Sequence, residues 1–241
     1  MSITNEELPA GKEQPSNGKP VKQYGRSVLL TAGARFWRAT LVFLAVMVVN
    51  AIVQPLLALP GIIPSLGSIS FWLLSLASYA VMVLSLGVIC SAALGVANGK
   101  VSIRAALAGL RPNFWNFVLW TVVWTIAVVI GLSLWTIPGY LVMILTPFVV
   151  LAAADGKRNA LAANFSAIKG RLGRYVVTVL FSLIVFLFMY VVVGLTSWIT
   201  TGAPAAVLCW IFLGIVGSWL LTAWALLYRS TPVGAAQQNN D

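Results

Sequence analysis

Histidine is absent from this 241-residue sequence, and charged residues make up only 8% of its positions. Four of the five acidic residues lie near the chain ends, and Asp155 alone lies within the body. Without histidine, the chain cannot form a histidine-based catalytic triad or an imidazole metal site. Without paired carboxylates between the apolar segments, it cannot form a carboxylate-pair hydrolase site or a carboxylate metal site within them. The sequence therefore predicts a protein that is not an enzyme and that binds no cofactor and no metal.

Hydrophobic residues dominate the sequence, at 60% of positions with a mean hydropathy of +0.96. A soluble domain carries about 25% charged residues, so a chain with so little charge cannot cover a water-facing surface. The net charge of +10 raises the alternative of nucleic acid. The cations lie in short loops between apolar segments, however, which indicates contact with anionic lipid headgroups and no nucleic acid.

Six apolar spans can be drawn, most of them long enough for a hydrocarbon core of about 30 Å. They cover residues 39–59, 69–96, 113–135, 138–154, 174–199 and 204–228. The fourth span is short and contains Pro138 and Pro147, which leaves a re-entrant segment open as an alternative to a complete crossing. The predicted fold is all-α: a polytopic transmembrane bundle of six spans with short amphipathic cytoplasmic surface helices.

The loops between these spans differ sharply in charge. Every Lys and Arg lies in the N-terminal tail and its junction, in residues 97–112 or 155–174, or at Arg229, and the loops 60–68, 136–138 and 200–203 carry no charge. The positive-inside rule then predicts a multi-pass protein of the cell inner (plasma) membrane with both termini cytoplasmic. We expect a disordered tail at 1–25, a transmembrane domain at 26–229 and a short tail at 230–241.

On this topology the two cysteines lie at different depths in the membrane. Cys90 is near the inner end of its span and Cys209 is near the outer end of another. At about 1.5 Å per helical residue they are roughly 20 Å apart in depth. A disulfide needs Cα atoms within about 7 Å, so both cysteines are predicted to pack as free thiols.

The longest polar interruption, residues 155–174, is predicted to form a basic amphipathic helix lying in the plane of the membrane surface. Its apolar residues are spaced by four, three and four positions, which places them on one helical face. They are Leu161, Phe165, Ile168 and Leu172. The cations that frame this face are Lys157, Arg158, Lys169, Arg171 and Arg174. We expect this surface to contact anionic lipid or a protein partner.

Residues 137–173 read I-P-G-Y, an apolar stretch, D-G-K, and then A-L-A-A-N-F-S-A-I-K-G. This pattern resembles a broad group of bacterial six-span proteins related to the membrane domain attached to some glycerophosphodiester phosphodiesterases. The matching residues of the amphipathic segment are Ala160, Leu161, Lys169 and Gly170, whereas Asn164 and Phe165 stand where Ser and Trp are common. The resemblance implies an α-helical bundle and brings no catalytic residues.

Two amides, Asn50 and Gln54, lie four residues apart on one face of the first span and are followed by Pro55. The proline leaves the carbonyl of Ala51 without its helical hydrogen bond. Together these groups could form a polar intramembrane site for a ligand. The alternative is that the amides donate to a neighbouring helix and the proline only kinks the span.

Small residues recur every four positions in the second and sixth spans, in the rows Gly87–Ser91–Gly95 and Gly214–Ser218–Thr222. Such rows allow two helix backbones to approach closely, either within one bundle or against another protein. Packing motifs without catalytic groups favour a non-catalytic accessory or scaffold subunit of a membrane complex. The alternative is the membrane-spanning permease subunit of a transporter whose ATPase is a separate chain.

Overall fold

The computed structural model describes residues 28–58, 68–199 and 203–231, and every regular element in these ranges is helical. The predicted tail at 1–25, and the predicted tail at 230–241 beyond residue 231, lie outside the described residues. The helices are α1 Val28–Phe36, α2 Thr40–Ala58, α3 Ile69–Gly95, α4 Ile103–Leu110, α5 Phe114–Trp135, α6 Ile137–Leu145, α7 Val149–Ala154, α8 Ala160–Gly170, α9 Leu172–Ile199 and α10 Ala203–Arg229.

Five of the helical segments in the described ranges are long and apolar enough to cross a membrane. They contain α2, α3, α5, α9 and α10, and each of these five helices begins and ends within two residues of a predicted span. Continuous apolar sequence forms these helices because their backbone groups must bond within the segment when no water is present. Both cysteines are free, as predicted.

The predicted fourth span forms two short helices, α6 and α7, separated by Thr146, Pro147 and Phe148. The pair runs back along the whole of α5. At one end Gly131 and Gly139 meet so closely that a Cβ on Gly131 would lie 2.6 Å from the Gly139 nitrogen. At the other end the Asn116 side chain donates to the Ala153 and Lys157 carbonyls. The path from residue 137 to 157 therefore leads from one end of α5 to the other.

Helices α2, α3 and α10 contact one another in a second group. A Cβ on Gly214 would lie 2.2 Å from Met47 Cγ, so α10 approaches α2 at this glycine. A Cβ on Gly87 would lie 2.9 Å from Phe117, which brings α5 against α3. Gly87 and Gly214 therefore serve packing within the chain, the first of the two predicted alternatives.

The described charged residues all lie near the same end of the bundle. At this end, the connection between α1 and α2 is joined to the connection between α3 and α4. Val101 N donates to the Arg38 carbonyl, and Arg38 Nη1 donates to the Val96 carbonyl. We call the part of the molecule toward this end the charged half (residues 28–45, 83–124, 147–185 and 219–231) and the remaining described residues the uncharged half. Of the buried apolar side chains in the described ranges, only Ala51, Val128 and Met189 lie in the uncharged half.

Candidate functional site

The centre of the charged half is the break between α6 and α7. All six residues of α7 are buried, and Phe148 just before it is fully buried. Pro147 has no N–H, so the helical hydrogen-bond ladder cannot continue through it. In the interior of a membrane protein, the freed backbone groups need other partners.

Asn164 of α8 supplies two of these partners. Its side-chain oxygen accepts from Phe148 N at 2.9 Å, and its amide nitrogen donates to the Leu145 carbonyl at 2.8 Å. The Tyr175 hydroxyl of α9 donates to the Ile144 carbonyl. In an unbroken helix, the Ile144 and Leu145 carbonyls would accept from residues 148 and 149. Side chains from two later helices thus replace bonds that are lost where the helix breaks.

Aromatic rings surround Phe148 at the same level. Its ring centroid lies 6.4 Å from that of Tyr175, 5.4 Å from that of Trp224 and 5.8 Å from that of Tyr228. The indole N–H of Trp224 donates to Ser182 Oγ at 3.1 Å, which ties α10 to α9. These edge and tilted ring contacts join α7, α9 and α10 around one buried position.

Asp155 follows α7 and is buried against the end of α10. Its Oδ1 lies 2.9 Å from Arg229 Nη2, and its Oδ2 accepts from the Tyr228 hydroxyl at 3.1 Å. Gly156, at φ 82°, ends α7 in the left-handed conformation, and Lys157 N bonds back to the Ala152 carbonyl at 2.9 Å. This is a Schellman cap, which leaves the carboxylate aimed at Arg229.

The predicted basic amphipathic helix corresponds to α8, which begins after the N-cap Asn159. The residues that pack into the bundle are Ala160, Ala163, Asn164 and Ala167. Leu161 and Phe165, predicted to lie on the apolar face, are 41% and 43% exposed. Ile168 is partly buried against the core, and Leu172 is exposed at the start of α9. The helix therefore has one packed face of small residues and one exposed ridge, Leu161 and Phe165, which we call the α8 ridge.

The five predicted cations surround this ridge with different exposures. Arg158, Lys169 and Arg171 are exposed, whereas Lys157 and Arg174 are partly buried. In the described residues, eleven Lys and Arg side chains accompany one carboxylate, that of Asp155. Because that carboxylate is held by Arg229, the surface around the α8 ridge has a strongly positive field.

The structure places Asn50 and Gln54 at the contact between α2 and α3. Asn50 Nδ2 donates to the Val46 carbonyl at 2.9 Å and to Ser85 Oγ at 2.7 Å. Ser78 Oγ donates to Gln54 Oε1 at 2.6 Å. Both amides thus bond the neighbouring helix, and α2 continues past Pro55 to Ala58. Asn50 also borders a cleft between α2, α3 and α10.

Sequence reasoning did not identify Asn164, Tyr175 or the Asp155–Arg229 pair as structural centres. A signal for two of them was present. Asp155 is the one acidic residue outside the tails. Asn164 is the one polar residue among the alanines on the face of α8 that packs into the bundle. Their partners are far away in sequence, 16 positions from Phe148 to Asn164 and 73 from Asp155 to Tyr228, so no local pattern could reveal them.

Comparison with protein-family models, curated proteins and solved structures finds no match to this chain. The resemblance of residues 137–173 to the membrane-domain group therefore stays an expectation.

Proposed function

We propose that this chain is a multi-pass protein of the cell inner membrane that crosses the bilayer six times, with both termini cytoplasmic. Five long apolar helices supply five crossings, and the α6–α7 pair, which runs the length of α5, supplies the sixth. An even number of crossings agrees with the cations lying at one end of the bundle. The positive-inside rule assigns that end to the cytoplasm.

Within the membrane, we propose that the protein is a non-catalytic accessory or scaffold subunit. The polar groups at the α6–α7 break are engaged in structural bonds: Asn164 and Tyr175 hold the break, and Asp155 holds the end of α10. A carboxylate fixed by an arginine and a tyrosine hydroxyl is poorly placed to exchange protons with a substrate.

The observation that carries the proposal is the α8 ridge among its cations. Leu161 and Phe165 remain exposed although α8 packs closely on its other face. Two apolar side chains at the charged end, surrounded by Lys and Arg, match the boundary between acyl chains and anionic headgroups. The same ridge is a suitable contact for a protein partner at the cytoplasmic face.

The test is purification of the full-length protein in mild detergent, followed by mass spectrometry of bound lipids and proteins. We expect anionic phospholipid and at least one membrane protein to co-purify with the wild type. Leu161→Ala with Phe165→Ala should release the protein partner, and Lys169→Gln with Arg171→Gln should lower bound anionic lipid several-fold. Arg104→Gln with Arg111→Gln, in α4 and directly after it, is the charge-matched control. Recovery of the protein alone, with the same lipid profile as its α8 variants, would rule out this role.

The second candidate is a permease subunit that works with a separate ATPase chain. It is favoured by α4 and α8, two short helices at the charged end whose Leu107, Leu161 and Phe165 are exposed. Such helices could dock into an ATPase. A stoichiometric ATPase in the same purification, lost in the Leu161→Ala and Phe165→Ala variant, would select this candidate over the accessory role.

A further inference from the structure

A cleft of about 270 Å³ lies between α2, α3 and α10, remote from the α8 ridge. Most of its lining is apolar, and its polar side chains are Asn50, Ser85 and Ser218. No charged residue lines it. Its volume is slightly below the range of about 300–1,000 Å³ that is usual for small-molecule sites.

The three polar side chains lie near the middle of the membrane. Each is ten or eleven residues from the end of its helix at the charged side, which is Thr40, Gly95 or Arg229. At about 1.5 Å per residue this corresponds to roughly 15 Å, or half of a hydrocarbon core of about 30 Å. A charged headgroup is too costly at this depth, whereas an uncharged polar group is tolerated if it is hydrogen-bonded.

Ser218 is the decisive residue of the cleft. It is only 2% exposed, and its hydroxyl has no hydrogen-bond partner among the residues described. Other helical hydroxyls, such as those of Ser182 and Thr222, donate to the carbonyl four residues earlier, at 2.7 and 2.8 Å. That local bond is the usual solution for a buried serine in a helix. The Ser218 hydroxyl can therefore both donate a hydrogen bond to a bound molecule in the cleft and accept one from it.

Asn50 supplies a complementary group. Because both of its amide hydrogens are directed to Val46 and Ser85, its Oδ1 is the atom left to accept, and it accepts from no residue in the described ranges. A hydroxyl group can donate to such an oxygen and accept from a serine at the same time. A ketone or an ester could use only the serine.

We propose that this cleft binds a neutral lipid that carries a hydroxyl group, with the hydroxyl between Asn50 and Ser218 and the apolar chain along Met47, Met82 and Trp210. The site is independent of the accessory role proposed above, because that role concerns anionic lipid at the charged end.

Gly217 provides a way to close the site. It lines the cleft, and a Cβ built on it meets nothing within 4 Å. Gly217→Leu should therefore fill the space without disturbing the helix contacts. Gly173, at the start of α9, also has nothing within 4 Å of a Cβ and does not line the cleft. Gly173→Leu is its matched control.

The experiment uses the full-length protein in lipid nanodiscs and a long-chain alcohol with a photoreactive diazirine. Labelled residues are mapped by mass spectrometry, and unlabelled hexadecanol, its methyl ether and an anionic phospholipid compete for the site. We expect labels on the cleft-lining residues, with hexadecanol competing about tenfold better than the ether, because one hydrogen bond is lost. The anionic phospholipid should not compete.

The variants separate this site from general lipid contact. Ser218→Ala should weaken binding of both the alcohol and the ether about tenfold, and the preference for the alcohol should persist, because the bond that the alcohol donates to Asn50 Oδ1 remains. Gly217→Leu should abolish labelling, and Gly173→Leu should leave it unchanged. Thr121→Val removes another buried hydroxyl that has no hydrogen-bond partner in the described part of the chain, outside the cleft, and should also change nothing. Equal competition by the ether, displacement by anionic phospholipid, or full labelling of Gly217→Leu would overturn the proposal.

Discussion

The charged and uncharged halves of this bundle are built from the same apolar helices but are packed differently. In the charged half, α7 is buried on every side and side chains bond across helices at Asn164, Tyr175 and Asp155. In the uncharged half, the buried apolar side chains of the described ranges are only Ala51, Val128 and Met189. Long-range polar bonds therefore accompany dense packing, and apolar composition alone does not produce it.

The two proline sites show the same difference. Pro55 lies in α2 in the uncharged half, where the helix continues for three residues beyond it. Pro147 lies where the chain enters the packed half, and there the helix breaks. The break persists because Asn164 and Tyr175 bond the freed backbone groups. A proline breaks a membrane helix where neighbouring side chains can replace the lost bonds.

The largest effect is expected for Asn164→Leu. It leaves Phe148 N–H and the Leu145 carbonyl buried without their partner, and each such group costs about 1–3 kcal/mol. The free energy of unfolding in detergent should fall by about 4 kcal/mol. Pro147→Ala in the same chain should recover part of the loss, because a continuous helix can then bond Phe148 N–H to the Ile144 carbonyl. A loss below about 1 kcal/mol would mean that the bridge contributes little to the packed half.

Asp155→Ala should lower the free energy of unfolding by about 3 kcal/mol, near the lower end for breaking a buried ion pair. The reason is that the Arg229 side chain, only 12% exposed, would keep its charge without its carboxylate. Exposed Arg158, changed to Ala, is the control and should stay within about 0.5 kcal/mol of wild type. Equal unfolding curves for the two variants would show that the buried Asp155–Arg229 pair does not stabilise the charged half.

Removing two interhelical amides from the uncharged half should lower the free energy of unfolding less than the two preceding variants do. Asn50→Leu with Gln54→Leu eliminates the bonds to Ser85 and Ser78, and interhelical bonds in membranes average about 0.6 kcal/mol each. The expected loss is about 1 kcal/mol, measured by the same unfolding assay. A loss as large as that of Asn164→Leu would show that the uncharged half is held by polar bonds as well.

The smallest effect is expected for Leu187→Ala on α9, a side chain that is 66% exposed. Its removal should change the free energy of unfolding by less than about 0.5 kcal/mol. Leu151→Ala in α7, where the side chain is fully buried, is the matched contrast and should cost about 3 kcal/mol. Equal losses of unfolding free energy in these two variants would contradict the assignment of a packed and an open half.

The sequence predicted the five long helices closely because their apolar runs are continuous and end at polar or small residues. It also indicated a possible helix break at Pro147 and a helix within residues 155–174, where α8 lies. It did not indicate which face of α8 packs: Leu161 and Phe165 are the more apolar side chains, yet the bundle accepts the alanines and Asn164. Close helix contact favours small residues, and hydropathy does not measure that preference.

The position of α7 has a consequence for biogenesis. Six residues are too few to form a stable helix alone, because helix nucleation is costly. Its supports, Asn164, Tyr175 and Arg229, are all synthesised after it, and the last of them ends α10. The core of the molecule therefore stays incomplete until α10 has been synthesised, so truncation before Tyr228 should leave an assembly intermediate open to membrane proteases.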